Sequence, residues 1–131
     1  MRLIPGQSET VKLLQPKLKF DGEPVIEVLE NEIYSFKASP GKTWTDSGRS
    51  SAAIGFFNPL LLNILKRVKN AKCFELCGTI NQNEKHHFRI GEERLNYPIP
   101  VSGNLYFFPN DNLYFYFNNA GYMNVLVSRE K

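Results

Sequence analysis

The segment Glu32-Ile33-Tyr34-Ser35-Phe36-Lys37-Ala38, followed by Ser39-Pro40-Gly41, alternates in character residue by residue. In an extended chain Ile33, Ser35 and Lys37 leave one side, and Tyr34, Phe36 and Ala38 leave the other. A period of two with aromatic members is the pattern of a half-buried strand, and Pro40-Gly41 ends it. The same pattern of short strand and punctuation repeats in both directions. Upstream, residues 11–14 and 17–20 read as strands closed by the turn signal Asp21-Gly22, and residues 25–28 read as a further strand.

Downstream, residues 44–57 read as loop-rich, with small residues around Gly48 and Ser50. Asn58-Pro59 has the form of a helix start, a capping side chain followed by proline at the first helical position. Residues 60–68 then make a helix of about two turns, with Lys66, Arg67 and Lys69 where the dipole favours cations. Residues 73–80 alternate again, with Phe74, Leu76, Gly78 and Ile80 against Cys73, Glu75, Cys77 and Thr79. Residues 86–90, 104–108 and 122–128 complete the strands, divided by Gly91, by residues 98–103 and by the Asn-rich run around Asp111. Many short strands at near-regular spacing give an all-β chain: a jelly-roll β-sandwich with one short helix, residues 1–131 forming a single domain.

Composition agrees with that class. The 131 residues are 42% hydrophobic and 22% charged, ordinary values for a globular chain that can bury a core. Ten Phe, six Tyr and one Trp suit strands that pack against cross-strand neighbours. A net charge of +3 is too mild for a dedicated nucleic-acid binder. The apolar stretch at residues 52–65 is broken by Gly55, Asn58, Pro59 and Asn63, so no membrane span is expected. Residues after Arg2 lack the apolar core of a signal peptide; the expected location is the cytoplasm, or outside by export without a classical signal. Cys73 and Cys77 would sit on one face of a strand about 13 Å apart, too far for a disulfide, and read as buried reduced thiols.

Most motifs with catalytic associations fail on their own terms. Ser39-Pro40-Gly41-Lys42-Thr43 ends like a phosphate loop, but Phe36 stands where the first glycine belongs. His86 and His87 are neighbours on a strand and leave opposite faces, so they do not grip one metal. Thr45-Asp46-Ser47-Gly48 offers a serine without the strand–turn–helix of a hydrolase elbow, and no triad assembles. Lys66, Arg67, Lys69 and Lys72 read as the wet face of a short helix. The chain is therefore expected not to be an enzyme.

The strongest polar cluster is Asn110-Asp111-Asn112, then Asn118-Asn119-Ala120-Gly121. One carboxylate and two amide oxygens seven and eight residues later are hard donors of the kind calcium takes. The same residues also gather in turns for their own backbone hydrogen bonds, so loop and metal site both stay open at this point.

Several of these segments occur together in an order that resembles a known family. They are residues 34–38 with Trp44 and Gly48 following, residues 74–80, Phe88-Arg89-Ile90-Gly91, residues 100–106, the Asp111 loop and residues 122–127. The order is similar to that of the calcium-dependent, galactose-specific bacterial lectins of the PA-IL-like family, with a galactose-binding-like jelly roll. The resemblance spans about residues 32–127 and is most specific in the spacing of Asp111, Asn118, Asn119, Ala120 and Gly121. It implies a calcium ion held by the side chains of Asp111, Asn118 and Asn119 and by the carbonyls of Phe115 and Ser47. It further implies a galactose-like sugar completing the calcium shell, with Asp111 and Asn118 touching both. Asn58 stands where the family carries a histidine before proline, and can hydrogen-bond a hydroxyl. Residues 113–117 are Leu-Tyr-Phe-Tyr-Phe where the family is small and Gly-containing, and Tyr116 could stack on a sugar face.

Two functions follow. One is a carbohydrate-binding, lectin-like module. The other is a non-catalytic protein-interaction domain that keeps the jelly roll without the sugar, meeting a protein partner through residues 106–117 or 60–65. A homo-oligomer is compatible with either.

Overall fold

In the computed structural model the described residues are 1–13, 20–39, 44–46, 49–51, 75–110, 119–121 and 123–131. Among them the alternating segments become strands. They are β1 (Ser8–Leu13), β2 (Asp21–Val28), β3 (Ile33–Ala38), β4 (Trp44–Asp46), β5 (Arg49–Ser51), β6 (Leu76–Ile80), β7 (His87–Arg89), β8 (Glu93–Pro98), β9 (Gly103–Pro109), β10 (Asn119–Gly121) and β11 (Met123–Arg129). A single 3-10 turn, Glu84–His86, is capped by the Asn83 side chain, which accepts from the Lys85 N–H.

The large sheet runs β7-β6-β9-β2-β1-β11-β3-β8, with every pairing antiparallel. Its two halves, β7-β6-β9-β2 and β1-β11-β3-β8, meet where β1 and β2 pair at Lys12 and Glu23. The sheet folds over at that junction, so the halves face one another across the core. Phe36 of β3 lies 5.4 Å from the Phe88 ring of β7 and 6.0 Å from that of Phe107 on β9. Phe88 stacks on Tyr97 of β8 at 4.2 Å, which brings the two outermost strands together. Val11, Leu13, Ile26, Val28, Leu105, Met123, Val125 and Val127 fill the rest, and hydrophobic burial of this kind is the main favourable contribution to folding. The expected all-β jelly-roll sandwich is the architecture observed.

The deciding segment follows its alternation on one face, where Tyr34, Phe36 and Ala38 are buried; on the other Lys37 is exposed, Ile33 is half-buried and Ser35 is buried. Residues 76–80 form β6 within the strand expected at 73–80, Cys77 is the buried free thiol expected, and both faces of the strand are buried. Leu76 and Ile80 join the main core, while Cys77 packs with Phe108 and Phe20 on the other side of the sheet. Gly78 makes that possible, since a Cβ there would sit 2.5 Å from the Phe88 ring.

Four sequence expectations are corrected. Asp21-Gly22 does not close a turn; it opens β2, with Asp21 paired to Phe107. Residues 44–57 are not all loop, because 44–46 and 49–51 pair as a hairpin. Pro98, read as the start of a divider, instead ends β8, whose residues 93–97 the sequence reading assigns to no element. Residues 119–121, read as loop, form β10. The strand at 17–20 lies outside the described residues except for Phe20, as do the helix at 60–68 and Cys73. No helix among the described residues is long and apolar enough to cross a membrane.

Candidate functional site

Strand polarity sorts the connections to two ends of the sandwich. At one end lie the starts of β6 and β11 and the ends of β1, β3, β7 and β9, because Leu13 pairs with Met123, Ala38 with Val125, Leu76 with Pro109 and Cys77 with Arg89. Every segment from which the sequence draws site residues departs from or returns to this end: residues 39–75, holding Ser47 and Asn58, and residues 110–122.

A three-stranded sheet, β10-β4-β5, extends this end. Antiparallel pairing of β11 with β3 resumes beyond a break as pairing of β10 with β4: Gly121 with Trp44, Ala120 with Thr45, Asn119 with Asp46. Asn119 and Asp46, which adjoin residues 118 and 47 in the sequence, are thus neighbours.

Of the sequence-predicted site residues, Asn119 is the first residue of β10. Ser47, Asn58, Asp111, Phe115, Tyr116 and Asn118 lie outside the described residues. So do residues 60–65. Of the aromatic strip at 106–117, Phe107 and Phe108 are fully buried, one on each face of the sheet. Tyr106, the first residue of the strip, is half-buried, and residues 111–117 lie outside the described residues. His87 sits beside the Phe108 ring at 4.9 Å and Phe20 at 6.0 Å.

The described polar chemistry at this end centres on Glu75, which is 4% exposed. Arg89 donates to both its carboxylate oxygens, from Nε at 3.0 Å and from one terminal nitrogen at 3.1 Å. This bidentate pair raises the Arg89 pKa, chiefly through the hydrogen bond to Glu75. The Glu75 carbonyl accepts the Asn110 N–H at 3.0 Å, and Asn110, fully buried, immediately precedes Asp111. Arg94 adds a bond to the Arg89 carbonyl at 3.1 Å and lies over the Tyr97 ring. Sequence reading passed over this pair, although a lone glutamate between Phe74 and Leu76 in an apolar alternation is the signal of a buried, paired charge.

The opposite end carries a second buried carboxylate with a different task. Arg2 and Arg129 both pair with Glu32, at 2.6 and 2.8 Å, and the Tyr34 hydroxyl donates to it at 3.2 Å. Arg129 also donates to the Leu3 carbonyl, so the cluster ties both chain ends to the start of β3.

No family model and no curated protein matches this chain. A solved structure does, the EclA N-terminal domain, described as a PllA-like lectin. The two share a TM-score of 0.65 at 19% identity, over 94% of this chain and 95% of that one. The fold is thus that of a lectin domain over nearly its whole length, and the resemblance to the PA-IL-like lectins holds at the level of fold.

Proposed function

We propose that this chain is a non-catalytic, carbohydrate-binding lectin-like domain that takes a galactose-like sugar at the loop end of the sandwich. The observation that carries the reading is the full-length likeness to a lectin domain. Calcium would be held by the side chains of Asp111, Asn118 and Asn119 and by the carbonyls of Phe115 and Ser47. Asn58, Asp111, Asn118 and Tyr116 would meet the sugar. The donor set fits the ion, being entirely hard oxygen with one carboxylate. Support for drawing ligands from both segments comes from the pairing of Asn119 with Asp46, which makes the residues adjoining 118 and 47 neighbours.

Calcium suits the task chemically. Sugars are strongly hydrated, and a divalent ion that accepts two hydroxyls replaces lost water contacts. The test is a thermal melt in millimolar calcium and then in excess chelator. A ligand that binds only the folded state raises its melting temperature, and a rise of several degrees is expected. Asp111→Asn removes the one carboxylate and should abolish the rise. A wild-type melt that ignores calcium would remove the metal from the proposal, and a blank glycan array in calcium would remove the sugar.

A further inference from the structure

We infer that Arg89 and Glu75 are positioning residues for the calcium and sugar site, holding the chain at Asn110 so that Asp111 starts from a fixed backbone. The inference rests on the function proposed above and adds two residues to it, neither of them a ligand.

The geometry is specific. Glu75 sits just ahead of β6, Arg89 ends β7, and Asn110 follows directly on β9. The bidentate bond from Arg89 fixes the Glu75 side chain, and the Glu75 carbonyl fixes Asn110. Three adjacent strands are thereby tied at the end from which Asp111 departs. On either side of the pair the backbone is also held: the N–H groups of Ile90 and Gly91 both donate to the Leu76 carbonyl, at 2.9 and 3.0 Å.

Energetics argue that the pair serves geometry more than stability. A carboxylate taken from water loses solvation that its partner only roughly restores, and apolar pairs of similar volume often stabilise a fold as well or better. Arg89 is 42% exposed, so solvent weakens its attraction further. What a planar guanidinium supplies that Leu and Met do not is a fixed orientation through two parallel hydrogen bonds. Groups hydrogen-bonded directly to a metal ligand change metal affinity by about 10–100-fold when removed, and Arg89, which acts one residue ahead of Asp111 through Asn110, falls at the lower end of that range.

The experiment compares Arg89→Met, Arg89→Lys and the double variant Glu75→Leu/Arg89→Met, by calcium titration calorimetry and by melts in chelator. Loss of calcium affinity of about tenfold is expected in all three. The double variant should recover the chelator melting temperature lost in Arg89→Met without recovering affinity. If affinity returned together with stability, the pair would be structural only and the inference would be overturned. Amide exchange of the calcium-free protein gives a readout that does not need the metal. Exchange at Asn110 and Asp111 should quicken at least tenfold in Arg89→Met, with Val125 unchanged; unchanged exchange at Asn110 would overturn the inference. Wild-type protein that fails to bind calcium would instead bring down the proposed function, and the exchange result would still decide whether Arg89 holds Asn110.

Discussion

Glu32 shows how much one side chain can hold together. It is only 8% exposed, yet it accepts from Arg2 and from the Leu29 N–H and pairs with Arg129. The hydrogen bond from Arg2 is the main reason its pKa is lowered from 4.5 to about 2, with burial opposing. Burial, with the Glu32 charge nearby, pushes the Tyr34 phenol up to about 12. For a carboxylate with a depressed pKa, folding stabilises the ionised form. That stability is fully present above the unfolded value near 4.5 and is lost as pH falls toward 2. Glu32→Gln should destabilise the protein at pH 7 by about 2–3 kcal/mol, because two guanidinium groups lose their counter-charge while keeping some solvent. The deficit relative to wild type should shrink steadily between pH 4.5 and 2, as denaturant titrations across that range would register. A deficit independent of pH would mean that packing, not charge, is what Glu32 contributes.

Among the elements, β8 and the β10-β4-β5 sheet were the hardest to read, for different reasons. β8 is an edge strand whose residues are nearly all exposed, so no burial imposes alternation on it. Its register with β3 shifts between Tyr34 and Phe36, and Asn96 there takes a left-handed backbone, its N–H donating to the Ser35 hydroxyl. Such an irregularity also protects an edge from pairing with other chains. The small sheet consists of three-residue strands, too short for any period to appear. Its central strand, β4, pairs on both sides at Thr45, with Ser50 and with Ala120. Thr45→Pro removes one ladder hydrogen bond whichever way the N–H points. The calcium-dependent rise in melting temperature should fall by at least half, while the melt in chelator moves by only a few degrees. A large drop in chelator with the calcium rise intact would show that β4 supports the fold and not the site.

For the whole molecule, chain connectivity governs kinetics. β1 pairs with β11, so Ser8 meets Ser128, and β2 pairs with β9 across most of the sequence. Loop closure over such distances must precede the contacts that reward it, which places folding of sandwiches in the millisecond-to-second range. Stopped-flow refolding of this protein should fall in that range, and a main phase complete within about 100 microseconds would contradict the topology. The same topology gathers the connections of interest at one end and both chain termini at the other. A ligand bound at the loop end is then far from the Glu32 cluster, and the Asp111→Asn and Glu32→Gln effects should add.

The sequence by itself determined that the chain is all-β, since alternation such as Tyr34, Phe36 and Ala38 against Lys37 is imposed by the pleat and needs no partner to be seen. It also showed a cluster of hard oxygen donors, Asp111 with Asn118 and Asn119, because residue types and their spacing are local properties. It placed β6 as well, within the strand read at residues 73–80, but it did not mark the strands β8 and β10, whose existence depends on what lies beside them. The tertiary structure alone decided that Asn119 pairs with Asp46, that Arg89 holds Glu75, and that Asn110 is held in turn. Those contacts join residues 14 to 73 positions apart, and only the folding of one sheet half over the other and the order of its strands select them.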